Sequence, residues 1–186
     1  MKAIAAAFLL LTIVPTANGE EPLFGEDGYK APIVAAREHP FYSTFEARAV
    51  VSAAVLAIVL LVVIVHYESL VTMTAMMKRL RQKRLRAAFV LLILGVLAAH
   101  TIAMWLFAIG YYVLIDEFGI LYGLPQPTLL ECVYYSATVY TTLGFGDLVP
   151  VGPIQLLTGV ESVTGLVLIT WSASFTFLEM QKGWRT

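Results

Sequence analysis

Three long apolar runs constrain the fold of this chain more than any other feature. The first, residues 49–65, has no charged side chain; the second covers 87–115; the third begins near Gly152-Pro153 and ends near Leu178. A helix needs about 20 apolar residues to cross the hydrocarbon core of a bilayer. Hydrophobic residues make up 59% of the 186 residues, and mean hydropathy is +0.81. These values exclude a disordered chain and indicate lipid as the solvent.

The first 19 residues have the pattern of a secretory signal peptide. A basic Lys2 is followed by an apolar run over residues 3–14 and by small residues at Ala17 and Gly19. This order, with cleavage after Gly19, is typical of export signals. The run is shorter than the roughly 20 residues that span a bilayer, and a retained membrane anchor is the alternative. In both cases the next segment is predicted to lie outside the cytoplasm.

Residues 20–47 form a polar segment with an acidic bias. Its charged side chains are six acids and two cations, namely Glu20, Glu21, Glu26, Asp27, Glu38, Glu46, Lys30 and Arg37. We expect an extracytoplasmic arm. Its end, Ser43-Thr44-Phe45-Glu46, matches a capping box with Ser43 as the cap. The box predicts the start of a first transmembrane helix over residues 48–77.

Residues 78–86 form a basic linker after this first helix. Six of the nine residues are Lys or Arg, which indicates the cytoplasmic side of the membrane and contact with anionic lipid. These cations lie beside a span, not among apolar residues within one, so they do not predict a voltage sensor. The tail at 179–186 is also basic and is predicted to be cytoplasmic.

A short apolar segment lies between the second and third long runs. Thr128-Leu129-Leu130-Glu131 is a second capping box and opens a predicted helix over residues 129–140. That helix is about 18 Å long, too short to cross a bilayer. Because both neighbouring spans have their far ends in the cytoplasm, the segment must enter and return on the outer side. Such a re-entrant segment is tolerated only where protein or water surrounds it.

The re-entrant helix leads into residues 141–147, Thr-Thr-Leu-Gly-Phe-Gly-Asp. A dehydrated cation needs a ladder of oxygens, which backbone carbonyls supply if several point at one axis. That geometry requires backbone conformations that favour glycine, as at Gly144 and Gly146. The segment resembles the selectivity filter of the potassium channel family, whose pattern is Thr-x-Gly-Tyr/Phe-Gly followed by Asp.

The resemblance implies a pore domain over residues 87–178. Its parts are an outer helix at 87–115, a pore helix at 129–140, the filter at 141–147 and an inner helix at 153–178. The resemblance also implies that K⁺ is the transported ion and that no cofactor is needed. The ion-binding segment consists of Thr141, Thr142, Leu143, Gly144, Phe145 and Gly146. Within it, the carbonyls of Thr142, Leu143, Gly144 and Phe145 and the Thr142 hydroxyl bind K⁺. One chain supplies one of four filter strands, which implies a homotetramer.

Several residues near the filter depart from the common pattern. Phe145 replaces the commoner Tyr and lacks a hydroxyl that could tie the filter to the surrounding helix. Tyr134 and Tyr135 stand where some relatives carry two Trp, and they either form an aromatic cuff or simply pack. Thr138 stands where some relatives place a Glu behind the filter, so that carboxyl pair with Asp147 is absent.

Glu161 and Gly165 are unusual residues within the last span. A carboxyl in a span is costly and is a functional hypothesis by default. Glu161 either lies behind the filter, bonded to groups such as Tyr135 or Thr138, or faces a water-filled cavity, or makes a purely structural hydrogen bond. Gly165 is a candidate gating hinge, with close helix packing as the alternative.

These features together predict an all-α membrane protein. It comprises an outer helix, a re-entrant pore helix with a selectivity filter, an inner helix and one additional N-terminal transmembrane helix, assembled as a tetrameric pore. The predicted function is a potassium-selective channel in the cell membrane, with the arm and filter mouth extracytoplasmic. A nonselective cation channel and a non-conducting accessory subunit are the alternatives. An enzyme is disfavoured, no nucleic acid is expected as a partner at net charge −1, and a separate regulatory partner is compatible with the sequence.

Overall fold

A computed structural model describes residues 44–80, 85–115, 117–123 and 127–184. The predicted signal peptide at 1–19 and residues 20–43 of the predicted arm lie outside the described residues. The described part contains three long helices, one short helix and two short strands. In chain order these are α1 (Phe45–Leu80), α2 (Leu85–Leu114), β1 (Ile120–Tyr122), α3 (Leu129–Tyr140), β2 (Val149–Val151) and α4 (Gln155–Trp184).

The three long helices are candidate membrane spans by length and composition. The span candidates are Phe45–Leu80, Arg86–Leu114 and Gln155–Lys182. Only 22–28% of the apolar window of each is buried within the single chain, so most of this surface faces lipid or other copies. The protein is therefore a multi-pass membrane protein, as the apolar runs predicted.

The first helix begins one residue later than its predicted cap implies. Helix α1 starts at Phe45, and the Thr44 hydroxyl accepts a hydrogen bond from the Ala47 N–H at 3.2 Å. Thr44 therefore caps the helix, whereas the predicted cap Ser43 lies outside the described residues. The helix also continues to Leu80, so the first residues of the predicted basic linker at 78–86 are helical.

The last helix is longer than predicted and includes most of the expected tail. Helix α4 covers Gln155–Trp184, whereas an inner helix at 153–178 and a tail at 179–186 were expected. No proline follows Leu178, and Glu179 and Lys182 form an ion pair at 2.5 Å across one turn. Pairs at this spacing stabilise a helix, which accounts for the extra turns.

A small antiparallel sheet corrects the all-α prediction. Strands β1 and β2 pair with Leu121 opposite Pro150 and Tyr122 opposite Val149. Strands of three residues are too short for an alternating pattern to be visible, so β1 was predicted as loop. Beyond β1, Gly123 adopts φ +112°, and a Cβ there would lie 2.5 Å from the carbonyl oxygen of Asp147. The sheet thus holds the residues before α3 against the residues after the predicted filter.

Helices α1 and α2 form a tightly packed antiparallel hairpin. A Cβ on Gly110 would lie 2.5 Å from Cδ1 of Ile58, and a Cβ on Gly95 would lie 2.9 Å from Cε of Met73. Small residues in membrane helices allow this kind of close approach. Helix α3 packs between α2 and α4, and α1 packs on both of these long helices. The first span is therefore an integral part of the helix bundle.

Candidate functional site

Helix α3 positions the predicted filter, and its start is fixed by a capping box. The main-chain N–H and the hydroxyl of Thr128 donate to Oε2 of Glu131 at 2.6 and 2.8 Å. The Glu131 N–H donates back to the Thr128 hydroxyl at 3.4 Å. The capping box predicted from the sequence is therefore confirmed. The hydrogen bond from the Thr128 main chain, and then that from its hydroxyl, lower the pKa of Glu131.

The backbone after α3 alternates between two conformations. Thr142, Gly144 and Gly146 have φ of +61°, +52° and +80°, whereas the residues between them do not have positive φ. Such alternation turns successive N–H groups to one side of the chain. Because N–H and C=O point in opposite directions in a trans peptide, the carbonyls turn to the other side. The segment can therefore present a row of oxygens to a cation.

Two hydrogen bonds fix the direction of this row. The Thr142 N–H donates to the Val139 carbonyl at 2.9 Å, and the Gly144 N–H donates to the Thr138 carbonyl at 3.1 Å. Both N–H groups thus point back at the end of α3. The carbonyls in the same two peptides, those of Thr141 and Leu143, point away from α3.

The two glycines are required by conformation and not by space. Among the described residues, nothing lies within 4 Å of a Cβ built on Gly144 or Gly146. Their positive φ is nevertheless a conformation that side chains with a Cβ rarely adopt. Thr142 adopts it as well, although a β-branched residue with positive φ is a true outlier. The backbone is therefore strained where a functional geometry was predicted.

The segment is exposed on the single chain. Residues 142–147 are all exposed, and the apolar side chains of Leu143 and Phe145 are 64% and 65% exposed. The chain thus presents large apolar groups beside its strained backbone without covering them.

Asp147 is tied to α3 by a tyrosine. Its Oδ2 accepts a hydrogen bond from the Tyr134 hydroxyl at 2.7 Å, and its Oδ1 accepts one from the Leu148 N–H at 3.1 Å. The bond to Asp147 raises the pKa of the Tyr134 hydroxyl. Tyr135 points elsewhere, and its hydroxyl shares a hydrogen bond with Thr158 of α4 at 3.0 Å. Both tyrosines thus use their hydroxyls as polar contacts, one toward Asp147 and one toward α4.

Thr138 contacts the filter segment through its main chain only. Its hydroxyl donates to the carbonyl of Tyr135 within α3 at 2.8 Å. Its own carbonyl is the acceptor for the Gly144 N–H. The side chain at this position therefore does not replace the Glu of some relatives.

Glu161 lies behind α3, with partners other than those expected. Its side chain is fully buried and accepts hydrogen bonds from the Tyr111 hydroxyl at 2.6 Å and the Ser136 hydroxyl at 2.5 Å. Ser136 belongs to α3, so the expected bond to a group of that helix is confirmed, although Tyr135 and Thr138 bond elsewhere. The interpretation that the carboxyl faces a cavity was wrong. Tyr111 and Ser136 were missed because only the helix packing brings them to this carboxyl. The sequence indicated these two hydroxyls only indirectly, because a buried carboxyl needs hydrogen-bond donors.

Gly165 allows α4 to touch the end of α3. A Cβ at this position would clash with the carbonyl oxygen of Tyr140. The helix is α-helical on both sides of Gly165. This contact supports the close-packing interpretation, and the gating hinge stays a prediction.

Comparison with known protein families gives one match. A family model described as "Ion channel" matches residues 90–182, half of the 186-residue chain. The matched part begins within α2, contains α3 and the predicted filter at 141–147, and ends within α4, whereas α1 lies outside it. Comparisons with curated proteins and with solved structures find no match.

Proposed function

The chain belongs to the ion channel family and is not an enzyme, and we propose that it forms a potassium-selective pore with residues 141–147 as the filter. The observation that carries this proposal is the alternation of positive φ at Thr142, Gly144 and Gly146. A row of carbonyls can replace the hydration shell of K⁺. The strain at Thr142 costs about 1–3 kcal/mol, which a chain has little reason to retain in an ordinary turn.

We propose the ion ligands from the resemblance of residues 141–147 to the filter of potassium channels. K⁺ is bound by the carbonyls of Thr142, Leu143, Gly144 and Phe145, with the Thr142 hydroxyl at the inner end. Thr141 and Gly146 complete the ion-binding segment. The C-terminal end of α3 lies beside the start of the filter, and its partial negative charge favours a cation there.

Two features of the single chain support assembly as a homotetramer. Each chain has one filter segment, and a filter of this kind takes four. The exposed side chains of Leu143 and Phe145 would be covered by neighbouring copies, which would also hold the strained backbone in place. A closed ring of four identical subunits provides the four filter segments and also covers these side chains.

Five residues are proposed to support the filter from behind, namely Tyr134, Tyr135, Thr138, Asp147 and Glu161. Tyr134 holds Asp147, and the Thr138 carbonyl holds Gly144. Tyr135 connects α3 to α4 through Thr158, and Glu161 connects α4 to both α3 and α2. The backbone that lines the pore is thus backed by a hydrogen-bonded layer. Gly165 is the proposed hinge of α4.

The proposed orientation rests on the positions of the cations. Residues 78–86 are rich in Lys and Arg and are placed on the cytoplasmic side of the cell membrane, where anionic lipid would contact them. The filter mouth and the segment before α1 are then extracytoplasmic. A separate regulatory partner would act on either side.

Ion flux through the purified protein in liposomes tests the proposal. We expect potassium flux far above sodium flux, abolished by Gly146→Ala. Gly159→Ala is the matched control, because Gly159 lies in α4 without positive φ, and nothing described lies within 4 Å of its Cβ position. Equal sodium and potassium flux would favour a nonselective cation channel. No flux from a verified tetramer would favour a non-conducting accessory subunit.

A further inference from the structure

Two histidines, His66 buried and His100 half-buried, lie side by side within the helix bundle, outside the layer proposed to support the filter. His66 is on α1 and is 1% exposed, and the centroid of its ring lies 5.0 Å from that of His100 on α2. Ionisable side chains within membrane spans are costly and usually have a function. His66 also lies outside the region that matches the ion channel family, which begins at residue 90.

Each histidine is hydrogen-bonded to a different helix of the pore region. Nδ1 of His100 lies 2.9 Å from the hydroxyl of Tyr140, the last residue of α3. Nε2 of His66 lies 2.9 Å from the hydroxyl of Ser172 on α4. The pair therefore connects α1 and α2 to both helices that flank the filter base.

Tyr140 directly precedes the filter and is held from two sides. Its side chain is fully buried and is bonded to His100, and its carbonyl oxygen packs against Gly165 of α4. Gly165 and Ser172 are seven residues apart, about two turns, so they lie on the same face of α4. Contacts thus run from Tyr140 through His100 and His66 to Ser172, and the segment of α4 between Ser172 and Gly165 leads back to Tyr140.

Packing alone does not explain the histidine at position 66. Its Nδ1 is buried and has no hydrogen-bond partner among the described residues. An unsatisfied buried polar atom is destabilising, and an apolar side chain of similar size would avoid that penalty. The bond from Nε2 to Ser172 is the contact that such a side chain could not make.

We propose that His100 and His66 are positioning residues for the filter, acting through Tyr140, and that α1 is thereby a working part of the pore. This rests on the proposed potassium-channel function. The Thr142 N–H is bonded to the Val139 carbonyl in the last turn of α3. A rotation of that turn would move the strained Thr142 and the carbonyls after it. The Tyr140 hydroxyl is the group that fixes this rotation; His100 holds the hydroxyl, and His66 packs against the His100 ring.

The ratio of sodium to potassium permeability in liposomes tests this role. We expect Tyr140→Phe and His100→Gln each to raise the ratio about three- to tenfold, in line with the loss of one buried hydrogen bond. The double variant should be no worse than the worse single variant, because both changes remove the same bond. Tyr112→Phe is the matched control, since Tyr112 is an exposed tyrosine on α2.

Ser172→Ala tests whether α1 takes part. The control is Ser174→Ala, because Ser174 is exposed and bonds only to its own helix, at the Thr170 carbonyl. We expect Ser172→Ala to raise the ratio and to be non-additive with Tyr140→Phe, although the two residues are not bonded to each other. Additive effects, or a ratio equal to that of the controls, would overturn the proposal.

Nitrogen NMR of histidine-labelled protein separates this inference from the proposed function. Tyr140→Phe should shift the His100 ring-nitrogen signal, and Ser172→Ala should shift that of His66, whether or not the protein conducts. Unchanged signals would overturn the contacts themselves. If the wild type passes no potassium while the signals shift as expected, the proposed function fails and the contacts stand. If the wild type is selective and the variants match their controls, only the positioning role fails.

Discussion

The proposed filter segment acts through its backbone, whereas the layer behind it acts through buried side chains. Residues 142–147 are exposed and act through their backbone, with φ values set by two glycines and one threonine. Behind them, Glu161 is fully buried and acts through its side chain, bonded to Tyr111 and Ser136. Residues 142–147, the front of the site, thus depend on backbone conformation. The back of the site, Glu161 with Tyr111 and Ser136, depends on hydrogen-bonded polar side chains. Substitutions at the front should change ion flux, whereas substitutions at the back should first change stability.

The largest expected effect is at the front, at Gly144. Gly144→Ala places a Cβ on a residue with φ +52°, which is costly for any residue other than glycine. We expect potassium flux to fall below detection in liposomes while the protein still folds, because nothing described lies near the added Cβ. Gly159→Ala should retain flux. Full flux through the Gly144 variant would show that the left-handed backbone is not needed.

The next effect is at the back and concerns the donors to Glu161. Tyr111→Phe combined with Ser136→Ala leaves the buried carboxyl without either donor. We expect a loss of about 3 kcal/mol in the free energy of unfolding, because an unpaired buried polar group keeps its desolvation penalty. Adding Glu161→Leu should restore most of the loss by removing the group that needs the donors. Denaturant unfolding of all three proteins measures this, and a double variant as stable as the wild type would contradict it.

A smaller effect is expected where front and back meet, at Tyr134 and Asp147. The hydrogen bond from the Tyr134 hydroxyl to Asp147 raises the pKa of that hydroxyl. Asp147→Asn should therefore lower the pKa of Tyr134 toward its ordinary value, which an absorbance titration of tyrosinate can follow, with Tyr134→Phe identifying the signal. The titration curve of the Asn variant should differ from that of the wild type only in this one group.

The smallest effect is expected at Glu131, at the start of α3. Hydrogen bonds from Thr128 hold its pKa below the ordinary value in the folded protein. A lowered folded-state pKa stabilises the fold above the unfolded pKa, and this contribution is lost as the pH falls through the folded value. Glu131→Gln should therefore weaken the dependence of stability on pH in the acidic range, and should leave it unchanged near neutrality. Unfolding midpoints of both proteins across that range measure the difference.

Local features of the site could be predicted from the sequence. The capping box at Thr128 and Glu131 is complete within four residues, so its geometry does not depend on the rest of the fold. Gly144 and Gly146 were predictable for a similar reason, because two glycines at this spacing after Thr-Thr permit the positive φ that the segment adopts. The three long helices were predictable because their apolar runs are close to the length of a span or longer.

Contacts between distant residues could not be predicted. Tyr111 and Ser136 lie 50 and 25 residues from Glu161, and many hydroxyls in neighbouring helices were equally suitable donors. The bond between His66 and Ser172 joins residues 106 apart, which only the packing of α1 on α4 brings together. The end of α4 was misplaced because the polar residues after Leu178 were interpreted as a tail, although they can continue a helix.

The pairing of β1 and β2 has a consequence for chain entropy. Tyr122 is opposite Val149, so main-chain hydrogen bonds join the two ends of the loop that contains α3 and the proposed filter. Closing a loop of this length costs on the order of 3 kcal/mol in conformational freedom. The two strands offset that cost within one polypeptide. The two ends of this loop are therefore already joined in each subunit, and association into the proposed tetramer does not have to supply that closure.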